Sequence, residues 1–123
     1  MANVEPDEIR EERITMEAIV DAYGPEEQAM GWYYYLADRL VFPFQAQCIL
    51  ERRTSPLKHG EIVEVLAMAP EADCMKEMFV EIQWMARKLA VPLAQLEDVA
   101  TDEQTQEGIA DWHYWVARGY QLG

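Results

Sequence analysis

Serine is nearly missing from this chain: Ser55 stands alone among 123 residues. No GxSxG elbow can be built from it, and no serine–histidine pairing has a spacing that would support nucleophilic catalysis. Histidine and cysteine are almost as scarce, at two each. Cys48 and Cys74 do not form a CxxC pair. His59 lies between Pro56 and Gly60 and reads as a turn residue. His113, inside "DWHYW", reads as a packed or surface histidine. So scattered a set argues against zinc, and in a reducing compartment the two cysteines read as small core residues. The phosphate-cradling glycine loops are also missing, with neither GxGxxG nor a Walker loop present. No apolar run reaches the about 18 residues needed to cross a membrane, and the opening "MANVEPDEIREER" is charged where a signal peptide is apolar. The expectation is a cytoplasmic protein without enzymatic activity.

Positive charge is scarce as well. Lys and Arg total 10 against 23 Asp and Glu, for a net charge of −13. Nucleic acid and anionic membrane surfaces both attract Lys and Arg, so both are excluded as partners. Cations, or a basic protein surface, are favoured. Half of the residues are hydrophobic, which rules out a disordered chain and provides for one domain with a core.

Residues 1–14 read as a charged arm, frayed or marginally helical, with residues 15–123 as a single domain. "TMEAIVDAY" has the pattern of a short amphipathic helix, with Thr15 as N-cap and Gly24 as its stop. Pro25 then suits the first position of a second helix, and Glu26 and Glu27 suit its first turn. Ala29, Tyr33, Leu36 and Leu40 recur at helical spacing as its buried stripe. Pro43 forces extended backbone before it, so this helix ends near Asp38.

The middle of the chain alternates instead. "FQAQCILE", "EIVEVLAMA", "MFVEIQW", "LAVPL" and the end of "AQLEDV" read as five short strands, with "MARK" as a turn. Met78, Val80, Ile82 and Trp84 fall on one face of the third. The order of connections is that of an SH3-like barrel. A last helix follows, for which Thr101 and Gln104 offer a capping box. Its inner face carries Ile109, Trp112 and Val116, flanked by Trp115, and Arg118 and Gly119 end it. The fold class expected is α+β: a small five-stranded barrel flanked by N-terminal and C-terminal helices, with Met30, Met68 and Met78 in the core. It is expected to be a monomer.

Calcium fits this composition. It is a hard ion taking about six to eight oxygens, and it needs neither His nor Cys. "DVATDEQTQEG" and "DCMKEM" both fail the EF-hand spacing, so a site has to be assembled from separate segments. In the expected barrel, strand one begins near Val41, beside the ends of strands two and five. Asp38 would there meet Glu71 and Asp73 after strand two, and Asp98, Asp102 and Glu103 after strand five. Carbonyls at the broken helix end, near Leu36 or Leu40, are unpaired. The bland alternative for Asp38 is a salt bridge to Arg39 or another cation, or a solvated helix end.

The stretches "YGPEEQAMGWYYYLADRLVFPFQA", "SPLKHGEIVEVLAMAPEADC", "EMFVEIQWMARKLAVPLAQLE" and "IADWHYWVARGY" resemble the CcbP family of cyanobacterial calcium-binding proteins. The resemblance runs from Tyr23 to Tyr120. It implies an acidic cytoplasmic protein that binds Ca2+, lowers free calcium and later releases it, tied in filamentous cyanobacteria to the calcium signal of heterocyst differentiation. Asp38 falls inside the matching segment "YYYLADRLVFPF". The metal ligands expected are Asp38, Leu40, Glu71, Asp73, Asp98 and Asp102, with a second, weaker site on the acidic surface. The competing reading is an SH3-like interaction module whose acidic face docks a basic protein without calcium.

Overall fold

The computed structural model describes residues 5–120 and 122. The charged arm is ordered into α1, Glu8–Arg13, from Asp7, whose carboxylate accepts from the Arg10 N–H at 3.0 Å; residues 1–4 of the arm lie outside the described residues. α1 runs straight into a π-helical turn, Ile14–Ala18. Thr15 therefore sits inside a continuous helical segment and caps nothing. The segment stops by residue 21, where Asp21 takes the left-handed conformation (φ 57°).

α2 spans Pro25–Arg39, with Pro25 in the first turn and Leu40 as its C-cap. Its buried face is Ala29, Trp32, Tyr35 and Leu36, continued by Leu40. Tyr33 is only half-buried and donates to the Ala69 carbonyl at 2.8 Å. The stripe is rotated toward Trp32 because its ring meets Trp112 edge-on at 5.0 Å and Trp115 at 5.5 Å. Such aromatic pairs add about 0.5–1.5 kcal/mol beyond the area they bury.

Five strands follow: β1 Phe44–Cys48, β2 Ile62–Met68, β3 Phe79–Trp84, β4 Arg87–Pro92 and β5 Leu96–Val99. They form one antiparallel sheet in the order β4-β3-β2-β1-β5. Among the described residues no ladder joins β4 to β5, so the sheet is open where a closed barrel was expected. Alternation is clearest in β3, where Val80 and Ile82 are buried; Met78 just before it is buried too, and Trp84 is half-buried. Short 3-10 turns at Glu71–Cys74 and Leu93–Gln95 complete the connections.

α3 spans Glu103–Ala117. Its N-cap is Asp102, accepting from the Thr105 N–H at 3.0 Å. The expected cap, Thr101, donates its hydroxyl to Asp98 Oδ2 at 2.7 Å instead. The inner face carries Ile109, Trp112, Tyr114 and Trp115, while Val116 is exposed. Gly119, at φ 90°, ends the helical turn. The apolar core is one connected cluster from the helices through the sheet, and both cysteines lie in it unpaired. No helix among the described residues is long and apolar enough to cross a membrane.

Two glycines let helical segments approach closely. A Cβ at Gly31 would stand 2.2 Å from the Ala18 carbonyl oxygen, and one at Gly108 would stand 3.2 Å from Leu40 Cδ2. The second approach brings the start of α3 against the end of α2. That crossing positions the site.

Candidate functional site

α2 ends because Leu40 leaves the helix (ψ 125°) while its N–H still reaches Leu36 at 2.8 Å. The next N–H, of Val41, turns to Thr105 Oγ1 at 3.0 Å. This bond keeps the chain on α3, so β1 begins at Phe44 rather than at Val41. Thr105 is fully buried and is the hub of the junction. One residue earlier, Gln104 Nε2 reaches the Asp38 carbonyl at 3.5 Å. Asp102 caps Thr105, and Thr101 ties Asp98 to the same turn.

Asp38, Leu40, Asp98 and Asp102 are thus joined by a short run of hydrogen-bonded residues where α2, β1, β5 and the start of α3 meet. Asp38 is exposed, and its carboxylate takes no hydrogen bond or ion pair among the described residues. Arg39 does not pair with it. That guanidinium bonds Glu107 and, at 2.6 Å, Glu17. Thr105, through its hydroxyl first and its N–H second, holds the Asp102 carboxyl below its ordinary value.

Glu71 and Asp73 lie on the 3-10 turn after β2. Glu71 accepts a hydrogen bond from the Tyr34 hydroxyl, one helical turn before Asp38 on α2. Asp73 is exposed on the 3-10 turn, and its side chain has no partner among the described residues. Among the described residues no three Asp, Glu, His or Cys side chains are grouped as they would be around a metal ion.

Beside the junction lies a depression of about 430 Å3 whose polar lining is Gln45, Glu64, Thr101, Asp102 and Thr105. β1 places Gln45 opposite both Glu64 of β2 and Val99 of β5. Sequence reasoning passed over Gln45 and Glu64. They occupy exposed positions in alternating strands, and only the register sets them next to Asp102. The lining offers carboxylate, amide and hydroxyl oxygens and no nitrogen cation, a donor set that suits a hard, oxygen-seeking cation. His113 faces away from such a role, with Nε2 at 2.6 Å from the Leu96 carbonyl.

Comparison with known proteins assigns the class. A sequence profile described as calcium binding, that of the CcbP family, matches residues 12–116. The chain belongs to the CcbP family of calcium-binding proteins. It is similar to the crystal structure of Anabaena CcbP, at 49% identity and a TM-score of 0.86, with 98% of each chain covered. It is also similar to a calcium-binding protein in its calcium-binding form, at 48% identity and a TM-score of 0.85, again with 98% of each chain covered. No curated protein matches. These relationships make calcium the ion to consider and point to a binding protein rather than a catalyst.

Proposed function

We propose that this chain is a reversible calcium buffer whose principal site lies at the junction of α2, β5 and α3. The observation that carries this reading is the hydrogen-bonded run from Leu40 and Val41 through Thr105 and Asp102 to Thr101 and Asp98. It gathers oxygen atoms from three segments, with Asp38 one step away through Gln104. Asp38, Asp98 and Asp102 would supply carboxylates, Leu40 a backbone carbonyl, and Glu64 a further carboxylate from β2. Calcium would supply the charge that this acidic junction lacks. We assign Glu71, which accepts from the Tyr34 hydroxyl, and Asp73 to a second, weaker site on the acidic surface. We read the strand order, with β1 between β2 and β5, as SH3-like.

Binding relieves repulsion within a chain of net charge −13 and stabilises the folded state by linkage. The resemblance extends the role to lowering and releasing free calcium in the signal of heterocyst differentiation. The test is a calorimetric calcium titration in excess magnesium. Asp38→Asn and Asp102→Asn should each weaken binding about tenfold or more, about 1.4 kcal/mol. Tight binding unaffected by either substitution moves the site, and no saturable heat removes the calcium reading.

A further inference from the structure

Arg39 follows Asp38 directly, as the last residue of α2. Its guanidinium carries a fixed charge on a planar fork that suits carboxylates. Neighbours on a helix do not face each other, but this long side chain lines the same depression as Asp38, so if freed it could swing toward that carboxylate. It is turned away instead. Nη2 stands 2.6 Å from Glu17 Oε1, Nη1 bonds Glu107, and the guanidinium carbon lies 4.6 Å from the centre of the Tyr35 ring. The two carboxylates come from different elements, Glu17 from the π-helical turn and Glu107 from α3. The Arg39 side chain is only 18% exposed as a result, while the Asp38 carboxylate remains unpaired among the described residues.

We propose that Glu17 and Glu107 are positioning residues for calcium binding: they hold the Arg39 guanidinium off Asp38, so that it does not compete with the metal ion. This inference rests on the reading of Asp38 as a ligand. A guanidinium on that carboxylate would compete with the metal ion, because it occupies acceptor positions on the same oxygens and its positive charge repels the cation. The strength of calcium binding then depends on how firmly two residues outside the site hold a third.

The test is a calorimetric double-mutant cycle with calcium chloride. In the native background, Glu17→Gln with Glu107→Gln should weaken calcium about tenfold, because the freed arginine competes. In an Arg39→Gln background the same pair should change affinity less than about twofold. Equal weakening in both backgrounds overturns the proposal, since it would mean only the loss of two negative charges. Glu12→Gln with Glu27→Gln, two exposed acids elsewhere, calibrates that field effect. Should the double variant fail to fold by circular dichroism, Glu17→Gln alone is run through the same cycle, with the same two outcomes at smaller amplitude. Asp38→Asn separates the two readings. If it leaves calcium binding intact, the ligand assignment and this inference both fall. If it weakens binding while the cycle is additive, only this inference falls.

Discussion

Arg13 and Asp111 stand 98 residues apart in sequence and are joined by two charge-assisted hydrogen bonds, Nη2 to Oδ1 at 2.7 Å and Nε to Oδ2 at 3.0 Å. Arg10 adds a third at 2.7 Å, and the Tyr35 hydroxyl a fourth at 2.6 Å. Asp111 is fully buried on α3. One carboxylate therefore ties α1, α2 and α3 together. Removing a partner from a buried ion pair leaves charge without compensation, at a cost of about 3–5 kcal/mol. Arg13→Met is expected near the low end, about 3 kcal/mol, because Arg10 remains. Urea unfolding measures it, and a loss below about 0.5 kcal/mol, the scale of an ordinary surface change, would reduce the cluster to an ornament of the surface.

Tyr35 gives a second prediction. Burial first, and the bond to Asp111 next, push its hydroxyl well above the ordinary 10.0. The folded state then keeps a proton that the unfolded state gives up. This contribution is fully present below pH 10 and is lost as pH rises above it toward the folded value. A spectrophotometric titration should show one tyrosine that ionises only as the protein unfolds in alkali. Tyr35→Phe should remove that step, and an unchanged curve would contradict the assignment.

At the acid end the sign reverses. Asp102 lies below its ordinary 3.8 because of Thr105. Its contribution is present above that pH and is lost as pH falls through the lower folded value. In Thr105→Val the hydroxyl is gone, so the Asp102 carboxyl should move back toward 3.8, and the Val41 N–H should lose its acceptor. Carbon-detected titration of the carboxyl and amide exchange at Val41 read the two effects separately. A carboxyl that does not move would detach Asp102 from Thr105.

Gly31→Ala tests the approach of the π-helical turn to α2. The added Cβ would meet the Ala18 carbonyl oxygen at 2.2 Å, backbone that cannot swing aside. Overpacking of this kind costs about 1–3 kcal/mol. Chemical denaturation should show that loss, and a neutral or stabilising result would mean the turn sits further from α2.

Calcium itself should protect the fold. At a free concentration of about 100 times the dissociation constant, linkage adds about 2.7 kcal/mol. The thermal midpoint should rise with calcium and fall on chelation. In Asp38→Asn the rise at a fixed calcium concentration should shrink, and a rise of undiminished size would argue that the stabilising ion sits elsewhere.

Local signals in the sequence were sufficient for much of the architecture. Pro25 and Pro43 bracket α2 because proline constrains backbone torsion wherever it stands. Val80 and Ile82 announce β3 by alternation alone. The caps were harder to read. Thr15 looks like an N-cap only if Arg13 and Ile14 are not already helical, and Thr101 looks like one only if its hydroxyl is not taken by Asp98.

Charge and composition by themselves determined that carboxylate oxygens abound and that the chain carries a large excess of negative charge. Tertiary structure decided which oxygens meet. The register of β1 sets Gln45 beside Glu64, and the crossing of α3 over the end of α2 at Gly108 brings Gln104 to the Asp38 carbonyl. The same crossing delivers Glu107 to Arg39 and lets Asp111 be buried as a charge. No local pattern foretells these, because each is an agreement between residues about 20 to 100 positions apart, and only burial and electrostatics in the folded state enforce it.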